Sequence, residues 1–76
     1  MTNNFNKHLD KDYFALAFYK ARTSKNITVE ELADQIGVSP RLIYSYQNGE
    51  KVPSVPTLVA ISIVLGVSLD SMLRLA

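Results

Sequence analysis

Residues 28–49 read TVEELADQIGVSPRLIYSYQNG, and this stretch decides the fold. Thr28 is followed three positions later by Glu31, the spacing at which a hydroxyl and a carboxylate cap each other's backbone amides at a helix start. Leu32, Ala33 and Ile36 then fall on one helical face. Gly37 ends that helix, because the residue just past a helix end often needs positive φ. Only Val38 intervenes before Ser39 and Pro40, an N-cap residue with proline at the first helical position, where its missing N–H costs nothing. The helix they open runs to about Gln47 and stops at Asn48-Gly49. Two helices joined by so short a turn cross steeply. A small residue must sit at the crossing, and Ala33 supplies it; Leu32, Ile36, Val38, Ile43 and Tyr46 fill the angle between the helices.

Upstream, Asp10 and Asp12 suit the N-terminus of a helix whose dipole favours acids there. Phe14, Ala17, Phe18 and Ala21 form its buried stripe, and Lys20, Arg22 and Lys25 gather near its C-terminal end. That helix is predicted to end near residues 23–25, with Asn26 as a left-handed cap. Downstream, residues 51–53 form a connector. Ser54 and Pro56 then open a fourth helix that turns Leu58, Ile61 and Leu65 inward and closes at Gly66. Ser68 is predicted to cap a fifth helix holding Leu69, Met72 and Leu73, with Asp70 in its first turn. No strand pattern of useful length and no internal repeat occurs. The expectation is an all-α fold of five short helices over residues 10–76, preceded by a polar, disordered tail at residues 1–9.

Composition narrows the function. A chain of 76 residues has room for one domain, and a domain this small buries only about 60% of the surface its unfolded chain exposes. There is no cysteine, and the single histidine, His8, lies in the tail, so no metal site and no thiol nucleophile are predicted. The carboxylates follow helix surfaces without converging, and no glycine-rich phosphate loop occurs. No enzymatic activity and no cofactor are expected. The first residues, MTNNFNKHLD, lack the basic flank and apolar run of a signal peptide. The longest apolar run, residues 58–69, is interrupted by Gly66 and too short for a membrane span. A soluble, cytoplasmic chain with no membrane partner is predicted. Its net charge of +1 is low for a nucleic-acid binder.

The stretch 28–49 resembles the helix-turn-helix of the lambda-repressor/Cro family (Xre type). The resemblance continues without a gap through NGEKVPSVPTLVAISIVLGVSLDSML and reaches back to Ala21-Arg22, covering about residues 10–76. It implies a transcriptional regulator, a repressor in the first instance, whose third helix enters the DNA major groove while the second crosses the backbone. Carried over by position, Pro40, Arg41, Tyr44 and Ser45 face the bases, and Arg41 can hold guanine O6 and N7 at once. Thr28, Val29, Ser39, Asn48 and Lys51 face phosphates. Gln47 stands where the family usually has a glutamate paired with the helix-one arginine. The expectation is that Arg22 has a neutral hydrogen-bond partner in Gln47, or turns toward solvent or phosphate. Val29 and Glu50 replace a Gln and a Lys common in the family.

Helix four is apolar nearly all round, which predicts a homodimer through Val59, Ala60, Ile63, Met72 and Leu75, unless these residues close a small core. Because the chain ends soon after, no small-molecule effector domain is expected, and control would come from abundance, a partner protein or competition for the operator. The alternative function is a protein-interaction module, antitoxin-like or an anti-repressor partner, that keeps the fold with a weakened DNA face. The low charge, Val29 and Glu50 favour that alternative.

Overall fold

The first three helices each begin on a side chain that accepts a first-turn amide, and these caps help set the architecture; the fourth begins at Ser54 without a side-chain cap. The computed structural model describes residues 9–75; residues 1–8, on which the predicted tail falls, lie outside the described residues. Helix α1 (Lys11–Ser24) starts at Asp10, whose carboxylate accepts the Tyr13 amide at 3.0 Å. Past its end, Asn26 takes φ of 57°, the left-handed geometry that Asn tolerates better than most residues. Helix α2 (Val29–Ile36) carries the full reciprocal cap: Glu31 N–H donates to Thr28 Oγ1 at 3.0 Å, and Thr28 N–H donates to Glu31 Oε1 at 2.9 Å. Gly37 then adopts φ of 73°, and two residues later Ser39 caps α3 (Pro40–Gln47) by accepting the Leu42 amide at 3.2 Å. Helix α4 (Val55–Leu65) follows the connector.

The helices enclose one core. Helix α3 packs on α1 and α2, and α2 also packs on α4. Phe14 and Phe18 stack at 5.5 Å, and the Tyr46 ring meets both edge-on at 6.3 and 6.2 Å. Such aromatic pairs contribute about 0.5–1.5 kcal/mol beyond the area they bury. Burial pushes the Tyr46 phenol above its ordinary pKa. Leu32, Ala33 and Ile43 fill the crossing of α2 and α3, while Leu58, Ile61 and Leu65 close the core from α4.

The predicted fifth helix is a single 3-10 turn, Leu69–Ser71. Three residues cannot offset the cost of nucleating an α-helix. Ser68 makes no side-chain cap, and its carbonyl accepts the Ser71 hydroxyl at 2.7 Å. The chain then runs extended instead of continuing helical: the Arg74 carbonyl accepts the Asp10 amide at 2.7 Å, and Leu9 forms an isolated antiparallel bridge with Leu75. Leu9, which the sequence reading placed in the tail, is thus held against the far end of the fold. Met72, expected in a dimer interface, is 1% exposed and belongs to the core cluster. Its place just after the tight turn folds it back beneath α4. No helix among the described residues is long and apolar enough to cross a membrane.

Candidate nucleic-acid interface

Helix α3 has two unlike sides, and its eight residues place them by simple periodicity. Ile43 and Tyr46 are buried, with Leu42 and Gln47 half-buried beside them. Positions 41, 44, 45 and 48, spaced three and four apart, turn the other way. Arg41 is exposed there, Tyr44 is 46% exposed, Ser45 is half-buried, and Pro40 and Asn48 are exposed at the two ends. All four residues expected to face bases therefore share one side, and Arg41 has no ion-pair partner among the described residues. Tyr44 and Tyr46 diverge as their two-residue spacing requires. The Ser45 hydroxyl donates to the Arg41 carbonyl at 3.2 Å, which leaves its oxygen free to accept but occupies its proton.

The orientation of α3 is fixed from beneath. Arg22 Nε donates to Gln47 Oε1 at 2.7 Å, and its Nη1 donates to the Ile27 carbonyl at 2.9 Å. One guanidinium thus ties α1, the α1–α2 turn and the end of α3 together. The bond to the neutral Gln47 amide is the first of the alternatives open from the sequence. The α3–α4 connector is tied to α3 as well, since the amides of Glu50 and Lys51 both donate to the Ser45 carbonyl, at 3.0 and 3.3 Å.

The residues expected to face phosphate fall into two groups. Ser39 Oγ accepts the Leu42 amide, so its hydroxyl proton can be donated outward, whereas the Thr28 hydroxyl, which accepts the Glu31 amide, turns its proton to the Glu31 carboxylate. Lys51 and Asn48 are exposed on the connector side. Val29, in contrast, is buried in the core, leaving only its backbone N–H, one of the first-turn amides a helix leaves without an internal acceptor. That end of α2 is acidic. The Glu31 carboxylate is held below the usual range by the hydrogen bond from the Thr28 amide and then by the Thr28 hydroxyl, and the exposed Glu30 stands beside it. Two carboxylates oppose an incoming phosphate there. No group of three His, Cys, Asp or Glu residues that could hold a metal occurs among the described residues.

Helix α4 presents a different surface. Val59 and Ile63 are exposed, as is Leu75, while Ala60 is half-buried. Val55, not anticipated from the sequence, extends the stripe: Val55, Val59 and Ile63 lie four residues apart, with Val55 70% and Ile63 74% exposed. The i, i+4 spacing was the available signal, hidden because every neighbouring residue of α4 is also apolar or small.

A small all-helical domain with a tight helix–turn–helix, a polar outward side on the second of those helices and a capped first helix is a helix-turn-helix domain. The chain belongs to the Helix-turn-helix family (HTH_3) of Cro/C1 type, which it matches over residues 18–72. It is 36% identical over 55 residues, 72% of its length, to the uncharacterized HTH-type transcriptional regulator YqaE of Bacillus subtilis (strain 168). Over 52 residues, 68% of its length, it is 38% identical to the HTH-type transcriptional activator BcrR of Enterococcus faecalis. The matched region spans 47% of YqaE and 26% of BcrR. Among solved structures, the clp gene regulator ClgR from Corynebacterium glutamicum superposes with a TM-score of 0.78 at 27% identity, covering 87% of this chain and 70% of that one.

Proposed function

We propose that the chain is a sequence-specific regulator of transcription that binds double-stranded DNA as a homodimer, with α3 in the major groove. The observation carrying this reading is the division of α3: Ile43 and Tyr46 anchor it while Arg41, Tyr44 and Ser45 stay outside on a rigid, doubly tied support. The relatives named as transcriptional regulators support the same reading. Arg41 reads a guanine, Tyr44 packs on a thymine methyl or reaches a phosphate, and Pro40 and Ser45 line the same groove. Ser39, Thr28, Asn48 and Lys51 hold the backbone. The acidic start of α2 leaves Val29 only its amide for this purpose, so the grip is weighted toward Ser39, Asn48 and Lys51.

The dimer forms through Val55, Val59, Ala60 and Ile63 of α4 together with Leu75. A two-fold pair would set two recognition helices about 34–36 Å apart, one turn of DNA. Repression by occupying a promoter is the simplest action open to such a pair; BcrR is named an activator, so a reporter fused downstream of the selected site decides the sign.

Selection from random duplex DNA tests the reading. The expected result is a two-fold symmetric consensus whose affinity falls steeply with salt. Arg41→Ala should weaken binding by about 1–3 kcal/mol and relax preference at one base pair of each half-site. An unchanged preference at every position would remove Arg41 from base readout. A second reading, a protein-interaction module with a weakened DNA face, draws on Glu30, Glu31 and Glu50 flanking the interface; it predicts no consensus and little salt dependence.

A further inference from the structure

A groove of about 580 Å³ runs along α1 on a side lined by no residue of α3. Leu16, Ala17 and Ala21 line it from α1, and Leu65 and Val67 line it from the end of α4 and beyond. Ala17, Ala21 and Val67 are backed by the core, so the floor is fixed, whereas Leu16 is 56% exposed and lies off the buried stripe of its helix. Two cations belong to the same surface. Lys20 lines the groove from α1, and Lys25 reaches toward the end of α4, where its Nζ would stand 3.8 Å from a Cβ placed on Gly66. The remaining lining residues, Tyr13, Ser24 and Ser71, are neutral, so no carboxylate shares the groove with the two lysines.

We infer that this groove is a second interaction surface, which docks an acidic amphipathic helix of a partner protein. An apolar floor asks for apolar side chains, and two lysines without acidic neighbours ask for carboxylates beside them. The groove is open along its length, and small-molecule sites bury most of their ligand, so a polypeptide fits it better than a metabolite. From Tyr13 to Lys25 the α1 backbone rises about 18 Å, room for roughly three turns of a docked helix with apolar anchors at i, i+4 and i+7. Its position away from Arg41, Tyr44 and Ser45 leaves the proposed DNA face free, so the inference stands or falls apart from DNA binding.

The test uses the full chain and a fluorescein-labelled, helix-stabilised peptide of about four turns, with Leu at i, i+4 and i+7 and Glu along both flanks. A second peptide carries Lys in place of every Glu, and laurate serves as a small apolar anion. Binding is read by anisotropy, and its location by amide shifts of the protein. The Glu peptide should bind at least about tenfold more tightly than the Lys peptide, lose affinity with salt, and shift the amides of residues 16–25 and 65–67. Leu16→Glu should cost at least about tenfold while leaving the melting temperature unchanged, since that side chain is exposed. The double variant Lys20→Glu/Lys25→Glu should reverse the preference between peptides. Equal binding of the two peptides, shifts confined to α3 or to Val55, Val59 and Ile63, or shifts by laurate without peptide binding would each overturn the inference.

Discussion

Helices α3 and α4 each press one side into the same core, α3 through Ile43 and Tyr46 and α4 through Leu58, Ile61 and Leu65. What they leave outside differs in kind. The outer side of α3 carries a guanidinium, a phenol and a hydroxyl, groups that water solvates well and a nucleic acid can replace. The outer side of α4 carries Val55, Val59 and Ile63, and α4 contains no charged residue at all. Water gains nothing there, and covering such a stripe removes apolar surface at about 25 cal/mol per Å². The contrast is one of surface chemistry, polar and hydrogen-bonding on α3 and apolar on α4, and the proposed function matches DNA to the first and a second copy to the other. It also shows why hydrophobic content alone is a poor guide to burial in a domain this small.

The largest effect should separate the two sides of α4 from each other. Ile61 is fully buried, so Ile61→Ala should lower unfolding free energy by about 2–5 kcal/mol in urea titrations. Ile63→Ala, measured at concentrations where the chain is monomeric, should stay within about 0.5 kcal/mol of wild type. Equal losses would mean that Ile63 helps close the core, and the contrast between sides would fail. The next effect concerns association. Ile63→Lys should yield a monomer in sedimentation at concentrations where wild type is dimeric, and should raise the Kd for a two-site operator by about tenfold or more. A wild-type chain that sediments as a monomer at tens of micromolar would break the assignment of α4 outright. Smaller still is the cap that aims α2. Thr28→Ala removes the Oγ1 acceptor for the Glu31 amide and should cost about 1 kcal/mol. The consensus read by α3 should be unchanged, because Arg22 and Gln47 hold that helix from its other end.

Most of the framework was legible because it depends on local chemistry. Thr28 with Glu31, Gly37, Ser39-Pro40 and Asn26 each act within a few residues, and each appears in the structure as its spacing required. Tyr46 inside and Tyr44 outside follow from helical period alone. The fifth helix is a single turn because its start signal, Ser68 with Asp70, is local, whereas what replaces the rest of it is not: residues 74 and 75 pair in extended form with Asp10 and Leu9, far away in sequence. Met72 goes inward with that turn. On the outward side of α3, sequence could place Arg41, Tyr44 and Ser45 together, but not that the Ser45 proton is already engaged. The α1 groove has no local signal, because Leu16 and Lys20 are ordinary surface residues of α1 until the fold brings the end of α4 beside them.

The smallest effect tests the closure that ends the α4 side of the molecule. Asp10 bonds Arg74 Nη2 at 2.7 Å and also caps α1, and Arg74 stacks over Tyr13 at 4.5 Å. The Arg74 hydrogen bond, and after it the Tyr13 amide, hold the Asp10 carboxyl below its ordinary pKa. A carboxylate whose folded pKa is lowered stabilises the fold above its unfolded pKa, near 3.9, and that contribution disappears as pH falls through the folded value. Asp10→Asn isolates this charge, because asparagine caps a helix about as well as aspartate. Wild type should therefore melt slightly above Asp10→Asn at pH 7, with the gap closing below about pH 4 and narrowing in high salt. Glu31 titrates in the same direction, but it is present in both proteins and cancels from the difference. The gap should be small because Arg74 is largely exposed, and exposed pairs contribute little. A gap that persisted at low pH would place the role of Asp10 in its shape and not its charge, and the link between the chain's two ends would rest on the Asp10–Arg74 backbone bond and the Leu9–Leu75 bridge.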